Sequence, residues 1–208
     1  MSACDLKEAL RYMGVRGDPS PEMLALAQEA AGLLTSEAHY RVLSLRLPVG
    51  AHGGLDLPGE AIQRRLAGCR EALLLGCTLG SGVDRLIRQT MLTRPALALA
   101  VNGCAAALLE SCLDKTCQEL TCQLREEGAG LTARFSPGYG DLPLSVQPAL
   151  LERLQAYRIG LTVNAGGQLQ PEKSVTAICG ITTSTAPGAP SGCSSCGQQN
   201  CAFRRAGT

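Results

Sequence analysis

Arg134 and Tyr139 stand in the stretch Arg-Phe-Ser-Pro-Gly-Tyr-Gly-Asp-Leu-Pro-Leu, residues 134–144. Arginine offers a planar fork of donors that matches a carboxylate, and tyrosine offers a stacking face with a hydroxyl. Pro137 and Gly138 between them let the backbone turn sharply and approach a bound molecule closely. A helix interior or central strand does not tolerate this density of proline and glycine, so the stretch is expected to be a shaped loop. Ser136 and Gly138 would add backbone contacts. The combination suits a small charged ligand.

A second group with chemical potential lies near the C-terminus. Cys193, Cys196 and Cys201 follow a C-x-x-C-x-x-x-x-C spacing in a polar segment, where exposed thiols invite metal binding or redox chemistry. Thiolates hold zinc tetrahedrally or carry an iron–sulfur cluster, and both want a fourth ligand. Cys179, on a neighbouring predicted strand, is the candidate. A partner-supplied ligand, redox thiols and no specific role remain open. Residues 184–208 read as a flexible Ala/Pro/Gly/Ser linker with this Cys-rich tail, and 1–183 as the folded unit.

The elements that must position these residues are readable in order. A short helix capped by Asp5 ends at Gly14, and a second opens at Asp18-Pro19-Ser20-Pro21 and runs to about Leu34. Tyr40 to Leu47 alternates, with Leu43, Leu45 and Leu47 on one side, and predicts a strand. A helix over 57–66 is started by Pro58, and a strand over 71–75 leads into Gly76-Cys77-Thr78-Leu79-Gly80-Ser81-Gly82 and a helix from Val83. That turn lacks the dinucleotide spacing, an acid twenty residues on and a Walker lysine, so it is read as a tight strand-to-helix turn. Pro95 to about Glu127 is the longest helical pattern, and its small apolar first half implies a central buried helix. Glu110 ends that half; a carboxylate there is partnered, functional or simply at the surface. Ser145 is expected to cap a helix through Tyr157. Ile159–Val163 and Ser174–Thr182 are expected to form a hairpin around Asn164-Ala165-Gly166-Gly167. Lys173 meets an anionic group or is an exposed strand end.

With 19 basic and 18 acidic residues, no electrostatic case exists for nucleic acid. Aromatics are only 3% and tryptophan is absent, which disfavours a stacking platform. No membrane-spanning run or signal peptide is expected, and a cytoplasmic location follows. Eleven cysteines without signs of export are read mainly as small core hydrophobes, including Cys4, Cys69, Cys77, Cys104, Cys112, Cys117 and Cys122.

Arg134-x-x-Pro137-Gly138-Tyr139 resembles the Arg-x-x-x-Gly-Tyr loop of the activation domain of cobalamin-dependent methionine synthase. The continuation Gly140-Asp141-Leu142-Pro143 replaces the Pro-Ala-Cys-Pro of the large synthases and looks like the free-standing activation proteins. The opening Ala-Leu-Arg-Tyr-Met-Gly-Val-Arg-Gly, residues 9–17, the Thr78-Leu79-Gly80 turn and Lys173-Ser174-Val175-Thr176 look similar to those proteins too. The Asp-Trp segment whose acid contacts the ligand amine in the large synthases is missing. The resemblance implies an α/β (α+β) fold, a twisted, mostly antiparallel sheet flanked by helices. It implies binding of S-adenosylmethionine by Arg134, Ser136, Gly138 and Tyr139, with Glu110 loosely matching a helix glutamate that helps hold the ligand amine. It further implies reductive methylation of cobalamin carried by a partner, since no Asp-x-His-x-x-Gly motif is present. That partner would be a methionine synthase core or another corrinoid protein, with flavodoxin or ferredoxin as electron donor. An iron–sulfur electron-transfer protein and a non-catalytic adaptor for a corrinoid protein are the alternatives.

Overall fold

The computed structural model describes residues 4–50 and 55–183. The tail thiols Cys193, Cys196 and Cys201 therefore lie outside the described residues. Among the described residues the α-helices and strands are arranged as α1 (Leu6–Tyr12), α2 (Pro21–Glu37), β1 (Arg41–Pro48), α3 (Glu60–Leu66), β2 (Glu71–Thr78), α4 (Ser81–Thr93), α5 (Pro95–Glu126), β3 (Gly130–Leu131), α6 (Gln147–Leu154), β4 (Thr162–Val163), β5 (Leu169–Gln170) and β6 (Ser174–Thr182). Strands β1, β2, β6 and β3 form one sheet in that order, and every neighbouring pair is antiparallel. The expected antiparallel sheet flanked by helices is what the chain forms.

Strand alternation divides the core in two. On one face Leu73, Leu75 and Cys77 of β2 and Ala177, Cys179 and Ile181 of β6 pack with α1, α2, α4 and α5. On the other, Ala72, Leu74 and Ile178 meet α3 and α6, with Leu43, Leu45 and Leu47 of β1 packed alongside. Inward-facing positions of β2 and β6 are buried from both sides, so these two strands read as nearly continuous apolar runs.

Local chemistry sets most of the boundaries. The Asp5 carboxylate accepts from the Lys7 and Glu8 amides, and Ser20 accepts from Met23, with Pro21 at the first helical position. α5 is the hub: most of its alanines, leucines and cysteines between Leu97 and Leu113 are buried, and it packs against α1, α2 and α4. Gly103 allows α1 to cross it closely, because a Cβ there would lie 2.8 Å from Met13 Cγ and 3.0 Å from the Ala9 carbonyl. By length and composition α5 is able to cross a membrane, contrary to the expectation that no such segment exists. However, 67% of its most apolar window is buried inside the protein, which makes it the core helix. Past Leu113 the helix keeps contact with that core through Cys117, Leu120 and buried Leu124, whereas Cys122 is exposed rather than core-filling.

Several expected boundaries need correction. β2 continues to Thr78 because Gly76, Cys77 and Thr78 pair with Thr176, Val175 and Ser174; the glycine-rich turn shrinks to Leu79-Gly80. Ser145 caps nothing. It sits in a 3-10 turn, Leu144–Val146, and α6 starts at Gln147 with no side-chain cap. Buried Gln147 is held there by Thr176, whose hydroxyl donates to Oε1 at 2.7 Å. The hairpin around Asn164 joins β4 to β5, with the Asn164 side chain accepting from the Gly166 and Gln168 amides. Ser174–Thr182 instead crosses to lie between β2 and β3, partners far away in the chain.

Candidate functional site

The site begins where the chain leaves β3 and runs alongside β6. Thr132 N donates to the Gly180 carbonyl, and Phe135 and Ile178 exchange both backbone hydrogen bonds. Alternation then turns Phe135 toward the α3/α6 core and Arg134 toward α5. There Arg134 meets two carboxylates. One guanidinium nitrogen lies 2.8 Å from Glu110 Oε2 and another 2.8 Å from Asp114 Oδ1. The second of these nitrogens is also 4.0 Å from Cys117 Sγ. Glu110, Asp114 and Cys117 follow an i, i+4, i+7 pattern, which puts all three on one face of α5. The structure thus brings Arg134 and Glu110 together, and adds Asp114, which the sequence reading did not single out, and Cys117, which it read as a core hydrophobe. Their helical spacing from Glu110 was the available signal.

The three charges are unequally shielded. The Arg134 and Glu110 side chains are 25% and 35% exposed, whereas Asp114 is 61% exposed. Burial alone would lower the Arg134 pKa, but the Glu110 and Asp114 charges outweigh it and hold the guanidinium above its ordinary value. Tyr12, at the end of α1, belongs to the same neighbourhood: burial raises its hydroxyl pKa, and the Glu110 charge adds to the effect. The Cys117 thiol is raised by burial, with Arg134 pulling the other way.

Beyond Arg134 the chain makes two linked turns. Tyr139 N donates to the Ser136 carbonyl at 3.1 Å, and Leu142 N donates to the Tyr139 carbonyl at 3.1 Å. Gly138, at φ 90°, adopts a left-handed conformation and donates to the Leu142 carbonyl at 2.8 Å. Pro137 and Leu142 are buried and anchor the loop, while the Tyr139 side chain is 67% exposed. Ser136 and Gly138 are committed through their backbones to this turn. Tyr139 is presented outward, and Arg134 is directed to α5.

Asp141 closes the loop in a way the sequence did not reveal. Its carboxylate accepts from the Glu60 and Ala61 amides at 2.6 and 3.1 Å, capping α3 from eighty residues away. α3 therefore begins at Glu60, two residues after the predicted Pro58 start. Gly59, at φ 116°, precedes it because a Cβ there would lie 2.8 Å from Asp141 Oδ1. These hydrogen bonds, first among them that from Ala61, hold the Asp141 pKa below the ordinary carboxylate value. An open groove of about 670 Å³ lies between Asp141 and the 56–60 segment.

Two other predicted positions are elsewhere. Lys173 is neither a free strand end nor paired with an anion at ion-pair distance. It is half-buried, burial lowers its pKa, and Glu172 and Asp84 oppose that shift. Cys179 is fully buried on β6 among α5 side chains, and burial pushes its thiol up to about 12. A protonated, enclosed thiol is a poor fourth ligand for zinc or an iron–sulfur cluster. Among the described residues no group of three or more His, Cys, Asp or Glu side chains is placed to hold a metal.

No protein-family profile matches the sequence, and no curated protein is similar to it at a significant level. Among solved structures, the crystal structure of the MetH reactivation domain bound to AdoHcy matches with a TM-score of 0.64 at 13% sequence identity. That match covers 88% of this chain and 77% of the other. At that identity the likeness concerns architecture: the chain has the fold of the MetH reactivation domain.

Proposed function

We propose that this chain is an activation component for a cobalamin-dependent methionine synthase or a related corrinoid protein, and that it binds S-adenosylmethionine at the Arg134 loop. The observation that carries the reading is the Arg134–Glu110 pair. An α-amino acid end carries a carboxylate beside an ammonium, and a guanidinium beside a carboxylate is its complement. The ligand carboxylate takes the guanidinium edge now occupied by the exposed Asp114, and Glu110 receives the ammonium. This would compensate for the missing Asp-Trp segment. Tyr139 offers an aromatic face at the loop tip. The structural likeness to a domain solved with AdoHcy supports the same ligand class.

S-adenosylmethionine supplies the activated methyl group, and the corrinoid acceptor comes with the partner. The tasks of this chain are to pair the charges of the amino-acid end and to fix the orientation of the sulfonium. A cytoplasmic location and an electron donor of the flavodoxin or ferredoxin class belong to the same proposal.

The test is calorimetric titration of the purified chain with S-adenosylmethionine, S-adenosylhomocysteine and 5′-methylthioadenosine. The first two share the amino-acid end and are expected to bind. The third lacks it and is expected to bind at least about 30-fold more weakly, the loss of about 2 kcal/mol from a half-buried charge pair. Equal affinity for all three would show that Arg134 and Glu110 are not the recognition pair.

A further inference from the structure

We propose that Cys4 and Cys104 form a dithiol–disulfide pair through which oxidation staples the N-terminal segment to the central helix α5. Cys4 precedes the Asp5 cap of α1, and Cys104 is a fully buried residue of α5. The Cys4 thiol donates to the carbonyl of Cys104 at 3.6 Å, so the sulfur of residue 4 lies over the backbone of residue 104. The Cys104 thiol donates to the Ala27 carbonyl at 3.4 Å and also lies within hydrogen-bonding reach of Cys4. Close packing of α1 on α5 at Gly103, the neighbouring position, holds the two backbones together. The two sulfurs therefore start as near neighbours, with α1 already resting on α5.

The two thiols differ in the manner a reactive pair requires. Cys4 is only half-buried, and on its ionisation the single Cys104 S–H can turn from the Ala27 carbonyl to donate to the Cys4 thiolate, which lowers the Cys4 pKa. Cys104 is enclosed and is raised by the same hydrogen bond and by burial. Cys4 is therefore the attacking sulfur and Cys104 the resolving one. With a low-molecular-weight disulfide as oxidant, the Cys4 thiolate attacks one of its sulfurs, forming a mixed disulfide and expelling one thiolate. Cys104 gives its proton to solvent, attacks the Cys4 sulfur and expels the second thiolate. Two protein thiols are oxidised, and one small disulfide is reduced to two thiols.

The ring so closed is long, since the partners are 100 positions apart, and long rings restrict the unfolded chain most. The staple also fixes α1, whose last residue, Tyr12, lies beside Glu110.

The experiment uses the full chain carrying Cys193→Ser, Cys196→Ser and Cys201→Ser, so that tail thiols do not compete. The reduced protein is equilibrated with oxidised and reduced glutathione, free thiols are alkylated, and peptides are mapped by mass spectrometry. A dominant Cys4–Cys104 linked peptide is expected, with a melting midpoint at least about 5 °C above that of the reduced protein. Both effects should vanish in Cys4→Ser, which leaves buried Cys104 in place. Glutathione retained on Cys4 with Cys104 free, links of comparable yield between other cysteines, or an equal melting shift in Cys4→Ser would each overturn the proposal.

Discussion

Replacing Arg134 with methionine removes a charge from between Glu110 and Asp114 while keeping much of the side-chain bulk. The cost can be worked from the exposure of each arm. Asp114 is 61% exposed, so its pair is screened by water and contributes about 0–1 kcal/mol. Glu110 and Arg134 are 35% and 25% exposed, which places their pair between the surface and buried cases, at roughly 1–2 kcal/mol. Without the guanidinium, two carboxylates one helical turn apart repel by a further few tenths of a kcal/mol. The sum is roughly 1–3 kcal/mol, or a fall in melting midpoint of about 2–12 °C for a domain of this size. Salt should diminish the Asp114 share and leave most of the Glu110 share. Calorimetry on the same variant should show S-adenosylmethionine affinity reduced at least about 30-fold. The informative companion is Asp114→Asn. If Asp114 occupies the edge that the ligand carboxylate takes, removing its charge should leave binding unchanged or tighten it several-fold, whereas Glu110→Gln should weaken it. Retained affinity in Arg134→Met, or equal weakening by Asp114→Asn and Glu110→Gln, would refute the zwitterion argument.

Asp141→Ala should open the first turn of α3, lower thermal stability and leave α5 intact, as read by amide exchange. Because its folded pKa is depressed, the Asp141 contribution is present above the unfolded carboxylate value and lost as pH falls through the folded one. The variant's stability should therefore depend less on pH in the acid range. Thr176→Val should cost about 1–3 kcal/mol in denaturant melts, because buried Gln147 Oε1 loses its donor. Gly103→Ala should cost about 1–3 kcal/mol by forcing α1 away from α5, since part of the clash is with the Ala9 backbone. Burial pushes the Cys77 and Cys179 thiols up to about 12, above an unfolded value of about 8.5. Their stabilising contribution is thus full below the unfolded value and is lost as pH rises through the folded one. Alkaline melts should show it, and both thiols should resist alkylation at pH 8 while exposed Cys122 reacts.

What the sequence made legible is what short-range chemistry decides. The Asp5 and Ser20 caps act through the next three residues, the β1 leucines alternate at period two, and the apolar run of α5 is long enough to mark a helix. Arg134 was identifiable by its type and setting. Its partners were not fixed, because the register between a loop and a 32-residue helix depends on how β3 docks against β6. Long-range pairing explains the other differences too. Ser174–Thr182 was paired with its sequence neighbour, but its apolar residues are satisfied only between β2 and β3, with both faces covered. Ser145 has the chemistry of a cap, yet the buried bond between Thr176 and Gln147 sets where α6 starts.

The remote cap on α3 makes the loop and that helix a single unit of local opening. α3 has no side-chain cap of its own; the Glu60 and Ala61 amides depend on Asp141. Any event that draws residues 136–141 away from their resting turns also releases those two amides to water. Their chemical shifts and exchange rates are thus a ready-made reporter of loop state, readable on a helix that contributes none of the Arg134 charge cluster. A transplant of this loop into a related scaffold would carry the same dependence. The recipient must offer a glycine and two open amides at the matching helix start, or the acid at position 141 arrives with nothing to hold.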